Sequence, residues 1–204
     1  MKNRILFGIA ALSVVTLLTT SCAKVPQAEI DSTNVAVNEA KVAQADVYVP
    51  EAYTALQDSL KSTLTSIEAK KGKWFTNYNN EKAALANVTT LAGQVKEQTT
   101  ARINELKVQI NNTLTEINAL TTENKELITK APKGKEGAAA LEAIKADLAT
   151  IDASVAEATD MLNKGELLPA NDKVQAAKEK ATAINTELKS VIEKKAKNTK
   201  AAKK

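Results

Sequence analysis

Cys22 is the residue of this sequence with the clearest chemical use, because it is the only cysteine and follows an apolar segment. A single cysteine excludes an internal disulfide. Histidine, the side chain that most often serves as general base and metal ligand, is absent from all 204 residues. Carboxylates, lysines and serines show no arrangement that would replace it. We therefore expect no enzymatic activity, no cofactor and no metal.

Aromatic side chains gather at one place in the chain, which makes that place a candidate for binding. Trp74, Phe75 and Tyr78 are three of the five aromatic residues after position 21, and they lie beside a run of lysines. Such a cluster can contact sugar rings, a partner protein or a membrane interface. Aromatic residues at a hairpin tip more often close the end of a helical core, and we expect that role here.

The C-terminal residues 194–204 are a second candidate for binding, since they hold six lysines and no acid. These lysines are Lys194, Lys195, Lys197, Lys200, Lys203 and Lys204. Without them and without Lys2 and Arg4, 20 of the 28 basic residues remain against 24 acidic ones, so residues 22–193 carry a charge of −4. The tail either contacts an anionic polymer or lipid or is a solvated helix end. The acidic body argues against nucleic-acid binding.

Glu123 and Glu126 share one face of a predicted helix, which formally permits metal binding or acid–base chemistry. Because no histidine accompanies them, we interpret them as part of a charged face exposed to solvent. Asn124 lies between them, near a seam position. A polar side chain at such a position can fix the register of neighbouring helices.

The first 21 residues predict a secretory signal peptide. Lys2 and Arg4 form a positive start, and residues 5–18 form an apolar run of 14 residues, which is too short to span a bilayer comfortably. Small residues at positions 19–21 then lead to Cys22.

This ending resembles the lipobox of bacterial lipoproteins, in which the cysteine is diacylated and becomes the first residue after cleavage. Ser21 matches the lipobox, whereas Thr19 departs from it because leucine is usual there. The resemblance implies a lipid anchor on Cys22. By likeness to enterobacterial sorting, Ala23 in place of aspartate implies transport to the outer membrane. No acidic run follows the cysteine, which favours the periplasmic side.

Composition and periodicity predict an elongated all-α protein. Only six glycines and four prolines occur, and the frequent Ala, Leu, Lys and Glu favour helix. Helices are predicted over residues 28–47, 51–71 and 81–130, with Pro50 at the start of the second and Gly72 at its end. The face of the first helix is expected to consist of Ile30, Val37, Ala40 and Val47. Residues 73–80 predict a turn, and the few apolar residues between 93 and 102 allow a bend.

The last two predicted helices carry the clearest seams, because their apolar residues alternate in steps of three and four. The first seam is Leu141, Ile144, Leu148, Ile151, Val155, Ala158 and Leu162, and the second is Val174, Ala177, Ala181, Ile184, Leu188 and Val191. This heptad spacing is typical of long antiparallel helices that pack as in coiled coils. Asn171 or Asp172 is expected to cap the final helix.

Together, these features divide the sequence into six consecutive segments. We divide it into a signal peptide (1–21), a lipid-anchored tether (22–27), a first helical hairpin with a long central helix (28–130), a linker (131–137), a second helical hairpin (138–193) and a basic tail (194–204). Residues 67–97 weakly resemble residues 160–190, since a Lys-Gly pair ends a helix in both. This likeness favours two hairpins in tandem.

Residues 39–92 resemble a small family of helical envelope lipoprotein domains of unknown function. The likeness rests on the Ala-rich residues 39–46, on Tyr48-Val49-Pro50-Glu51 and on the hairpin helix over residues 80–92. The general plan, a lipid-anchored helical coil that ends in Lys204, resembles Braun-type lipoproteins, which are joined to peptidoglycan through their last lysine. The usual Tyr-Arg-Lys ending is absent. The family implies an envelope context and supplies no active site.

The sequence therefore predicts a structural or interaction element of the bacterial cell envelope, with the membrane reached through lipid and with peptidoglycan or an envelope protein as partner. The alternative is a periplasmic accessory subunit that captures a partner protein or peptidoglycan through its helix seams, hairpin tip or basic tail. Self-association through the seams is compatible with both hypotheses.

Overall fold

The computed structural model describes residues 24–132 and 135–201, and of residues 135, 136 and 198–201 it describes only the backbone. The described residues form six helices and no strand, so the all-α prediction is confirmed. The helices are α1 Gln27–Val42, α2 Ala45–Tyr48, α3 Pro50–Lys70, α4 Asn79–Lys130, α5 Lys135–Lys164 and α6 Leu167–Ala201.

Helix α4 is the element on which every other helix packs. It runs for 52 residues without interruption, which corresponds to a contour of about 78 Å at 1.5 Å per residue. Residues 93–102, where the sequence allows a bend, remain helical. The N-terminal half of α4 packs on α1 and α3, and its C-terminal half packs on α5 and α6. Two three-helix bundles thus stand end to end and share α4.

The N-terminal bundle brings the start of α1 to the start of α4. Glu29 pairs with Lys82 at 2.7 Å, and Glu39 pairs with Lys96 at 2.9 Å, so α1 and α4 run in the same direction. Helix α3 runs antiparallel to both and packs mainly on α4. Its buried residues Tyr53, Leu56 and Ile67 pack against residues of α1 and α4.

The C-terminal bundle repeats this arrangement along the C-terminal half of α4. Lys178 pairs with Glu116, and Lys189 pairs with Glu123, so α6 also runs in the direction of α4. Most of the two predicted seams are buried here. The buried residues of the seams are Leu141, Ile144, Leu148, Ile151, Ala158, Val174, Ala177, Ala181, Ile184 and Leu188. Val191 is exposed, however, and Ile192 packs against this core in its place.

The prediction of one helix over residues 28–47 is wrong at its end. Gln44 has a left-handed backbone, with φ of 68°, and this breaks the helix between α1 and α2. The break changes which residues face the core, so that Val47 is exposed and Tyr48 is buried. The Tyr48 hydroxyl donates a hydrogen bond to the Gly165 carbonyl at 3.3 Å. This contact joins the N-terminal bundle to the turn between α5 and α6.

The predicted cap of the final helix is also wrong. Helix α6 begins at Leu167, so Asn171 and Asp172 lie inside it. Pro169 is compatible with this start because the first turn of a helix needs no amide donor from its residues. The Asn171 side-chain oxygen is instead buried without a hydrogen-bond partner among the described residues.

Both Lys-Gly pairs end a helix, as the internal likeness predicts. Gly72 follows α3 with φ of 77°, and Gly165 follows α5 with φ of 81°. Glycine adopts this left-handed conformation without the steric cost that a Cβ would add.

Candidate functional site

The turn between α3 and α4, residues 71–78, forms one end of the molecule and is called the tip below. Gly72 ends α3, and Phe75 has a left-handed backbone with φ of 62°. This conformation costs a residue with a Cβ about 1–2 kcal/mol. The turn therefore holds Phe75 in a conformation that its side chain does not favour.

The three aromatic residues of the tip have different environments. Tyr78 is 4% exposed and closes the core of the N-terminal bundle, together with Ile67 and Leu85. Trp74 is 76% exposed and Phe75 is 87% exposed, and their rings contact each other edge to face with centroids 6.0 Å apart. The expectation that this cluster closes the helical core is confirmed for Tyr78 and wrong for Trp74 and Phe75.

The first described residues of the chain lie at the same tip. Val25 packs against the cluster of Ile67, Tyr78 and Leu85, and Pro26 is buried. Lys24 and Val25 line a shallow groove together with Trp74. The first described residue, Lys24, therefore lies beside the exposed Trp74. Cys22 itself lies outside the described residues.

A buried carboxylate fixes the base of the tip. Glu81, in the first turn of α4, is 5% exposed. Its side chain accepts hydrogen bonds from the Lys70 ammonium and the Ser66 hydroxyl, both at 2.8 Å. The bond from Lys70 is the largest cause that lowers the pKa of Glu81 below its ordinary value, burial raises the pKa less, and Ser66 lowers it further. The network ties the end of α3 to the start of α4.

Replacing Glu81 with glutamine should remove part of the acid sensitivity of the fold. Because the folded pKa lies below the ordinary value of 4.5, the unfolded chain binds the proton first as the pH falls. The stabilisation by this carboxylate is thus present above pH 4.5 and is lost as the pH falls through the folded pKa. Urea unfolding of wild type and Glu81→Gln between neutral and acidic pH should show a difference that shrinks below pH 4.5.

The control for this measurement is Glu97→Gln, which removes one exposed carboxylate from the same helix. A difference between wild type and Glu81→Gln that stays constant over the whole pH range would contradict the role of the ionised carboxylate.

The basic tail lies at the opposite end of the molecule. Lys189 still pairs with Glu123 of α4, and Ile192 still packs on the core, but α4 ends at Lys130 while α6 continues to Ala201. Lys194, Lys195 and Lys197 are exposed on this extension. The side chain of Lys200, and Lys203 and Lys204 as a whole, lie outside what the structure describes.

No protein-family model matches the chain, and no curated protein or solved structure matches it either. Within residues 24–132 and 135–201, no group of His, Cys, Asp and Glu side chains could hold a metal ion. None of the helices in this part of the chain combines the length and the apolar character that crossing a membrane requires.

Of the two glutamates on α4, Glu123 takes part in helix packing. The Glu123 carboxylate forms an ion pair with the Lys189 ammonium at 2.8 Å. The hydrogen bond from Lys189 is the main cause that lowers the pKa of Glu123 below its ordinary value. The sequence predicts that both glutamates are exposed. Glu126 is exposed, whereas Glu123 is partly buried. The ion pair therefore links α4 to α6, a function that the sequence did not indicate.

Asn124 lies in the interior of the C-terminal bundle, near the seam position that the sequence predicts. It is fully buried, its amide donates to the Ala181 carbonyl at 2.8 Å, and its carbonyl accepts from the Asn185 amide at 2.9 Å. The sequence did not indicate Asn185, because its position one residue after the seam residue Ile184 does not show which residue of α4 it faces. The two amides fix how α4 and α6 align.

Proposed function

We propose that this chain is a non-catalytic lipoprotein of the bacterial cell envelope, anchored through acyl chains on Cys22, whose helices act as a spacer. One observation carries the proposal: Lys24, the first described residue, lies at one end of the stacked bundles, and the lysine-rich extension of α6 lies at the other. A lipid attached just before Lys24 would leave this extension far from the bilayer.

Physical chemistry supports a lipid as a sufficient anchor. Each buried methylene contributes about 0.8 kcal/mol, and two acyl chains together hold a protein stably at a bilayer. Ala23 after the cysteine favours the outer membrane, with the helices in the periplasm. The far end of the molecule would then meet the anionic cell wall polymer, to which the lysines of the tail are complementary in charge.

Replacing Cys22 with serine should abolish membrane association. The wild-type protein should sediment with membranes, and its N-terminal peptide should have the additional mass of the acyl groups. The Cys22→Ser protein should be absent from the membrane fraction, because serine is not a substrate for thioether acylation. The measurement is mass spectrometry of the N-terminal peptide combined with membrane fractionation.

The matched control is Ser21→Ala, which keeps a small residue before the cysteine and should still be acylated. A Cys22→Ser protein that is exported, matured and sedimented as the wild type would contradict the proposal. The mass of the C-terminal peptide of the same sample shows whether Lys204 carries a covalently bound cell wall fragment.

A second candidate function is a periplasmic accessory subunit that captures a partner protein. The extension of α6 beyond the end of α4 favours it, because the exposed face of a helix can pack on another chain. Pull-down from envelope extracts with protein that ends at Glu193 distinguishes the two functions: capture of one protein in a fixed ratio, lost with the tail, supports the accessory subunit.

A further inference from the structure

The tip exposes the largest apolar side chains that the described part of the chain presents to solvent. Trp74 and Phe75 are the two most exposed of its large hydrophobic residues. They lie on the turn itself and not on the side of a helix, so they project from the end of the bundle. Phe75 is held there by a left-handed backbone, with φ of 62°.

The surroundings of this aromatic pair are basic. Residues 70–80 contain three lysines, of which Lys70 pairs with Glu81 and Lys71 pairs with Glu68 at 3.0 Å. Lys24 and Lys73, which line the same groove, therefore give this surface its net positive charge. Lys71 and Lys73 are exposed next to Trp74. Exposed tryptophan and phenylalanine with lysines around them match the interface of an anionic bilayer, where aromatic rings lie at the headgroup level and ammonium groups meet phosphates.

The position of the chain selects a bilayer over other partners. Val25 is fixed in the core beneath the tip, and Lys24 lies beside Trp74. Covalent geometry limits the distance from the Lys24 Cα to the Cys22 Cα to about 7 Å. Any lipid on Cys22 would therefore place the bilayer surface next to Trp74 and Phe75.

We propose that Trp74 and Phe75 are a second membrane contact, which inserts into the headgroup region of the bilayer that holds the Cys22 lipid. This inference rests on the proposed function. A protein held by one lipidated residue alone can tilt freely relative to the bilayer, whereas a second contact at the same end restricts this tilting. The tip contact directs α4 away from the membrane, so that the helices stand on the bilayer.

The experiment uses Trp74 as its own probe, because it is the only tryptophan of the chain. The acylated full-length protein is reconstituted into vesicles of equimolar phosphatidylcholine and phosphatidylglycerol. We expect Trp74 emission to shift to shorter wavelength, to be quenched by lipids brominated on the upper acyl chain, and to lose most of its quenching by aqueous acrylamide.

The matched control moves the probe along α4. Val108 is 60% exposed and lies about 44 Å along the helix from Asn79, so the variant Trp74→Phe with Val108→Trp reports on the side of the molecule. We expect its tryptophan to remain accessible to acrylamide and unquenched by brominated lipid. Equal quenching of both probes by brominated lipid would show that the protein lies flat on the bilayer, which overturns the inference.

Two different results separate the tip contact from the lipid anchor. The mass of the N-terminal peptide is measured on the same sample, and an absent acyl group contradicts the proposed function. An acylated protein whose Trp74 stays accessible to water contradicts the tip contact alone. An emission shift caused by soluble cell wall fragments and not by vesicles would assign the tip to a glycan and likewise overturn the inference.

Discussion

The Ile110→Ala variant should unfold with a free energy about 2–5 kcal/mol lower than that of the wild type. Ile110 is fully buried on α4 within the core of the C-terminal bundle, where Leu106, Leu114 and Ile117 are its neighbours along the helix. Truncation removes three carbons from a packed site and leaves a cavity that the surrounding helices only partly fill. Urea unfolding followed by circular dichroism measures the loss.

Val108→Ala is the matched control for this prediction, since Val108 is on the same helix two residues away and is largely exposed. Its effect should be within about 0.5 kcal/mol of zero. Equal losses for the two variants would show that α4 does not present this face to α5 and α6.

The Asn124→Ala variant should lose about 1–3 kcal/mol of unfolding free energy, because it removes one member of a buried pair of amides and the hydrogen bonds that it makes. The Asn185 amide then has no acceptor at Asn124, and the Ala181 carbonyl loses its donor. Urea unfolding again provides the measurement. Asn118→Ala, at an exposed position of the same helix, is the control.

A second variant separates stability from specificity at this position. Replacing Asn124 and Asn185 together with leucine removes both polar groups, so stability should be restored or increased, while the fixed alignment of α4 and α6 is lost. Size-exclusion chromatography with light scattering should then show additional oligomeric states. A double variant that is as unstable as Asn124→Ala would contradict this explanation.

The predictable part of the fold follows from heptad spacing. The seams of α5 and α6 repeat every three and four residues with large apolar side chains, and such a pattern fits only one face of a helix. The position of Asn124 near a seam follows from the same spacing. Its partner Asn185 does not, because spacing within one helix contains no information on how two helices 61 residues apart in sequence align.

The wrong predictions concern places where a single backbone angle determines which side chains face the core. Gln44 adopts a left-handed conformation although neither glycine nor proline marks the break, so the exposure of Val47 and the burial of Tyr48 could not be predicted. At the tip, the residue types indicate a candidate site. The dihedral angles of the turn determine that Tyr78 lies in the core while Trp74 and Phe75 remain outside it.

The common direction of α1, α4 and α6 has a mechanical consequence. It places Lys24 and the end of α6 at opposite extremes of the molecule, so a tensile force applied between them acts along the helix axes. The helices are then loaded in shear, and many side-chain contacts must slip at once. If both termini met at one end, the same force would peel the helices apart one turn at a time.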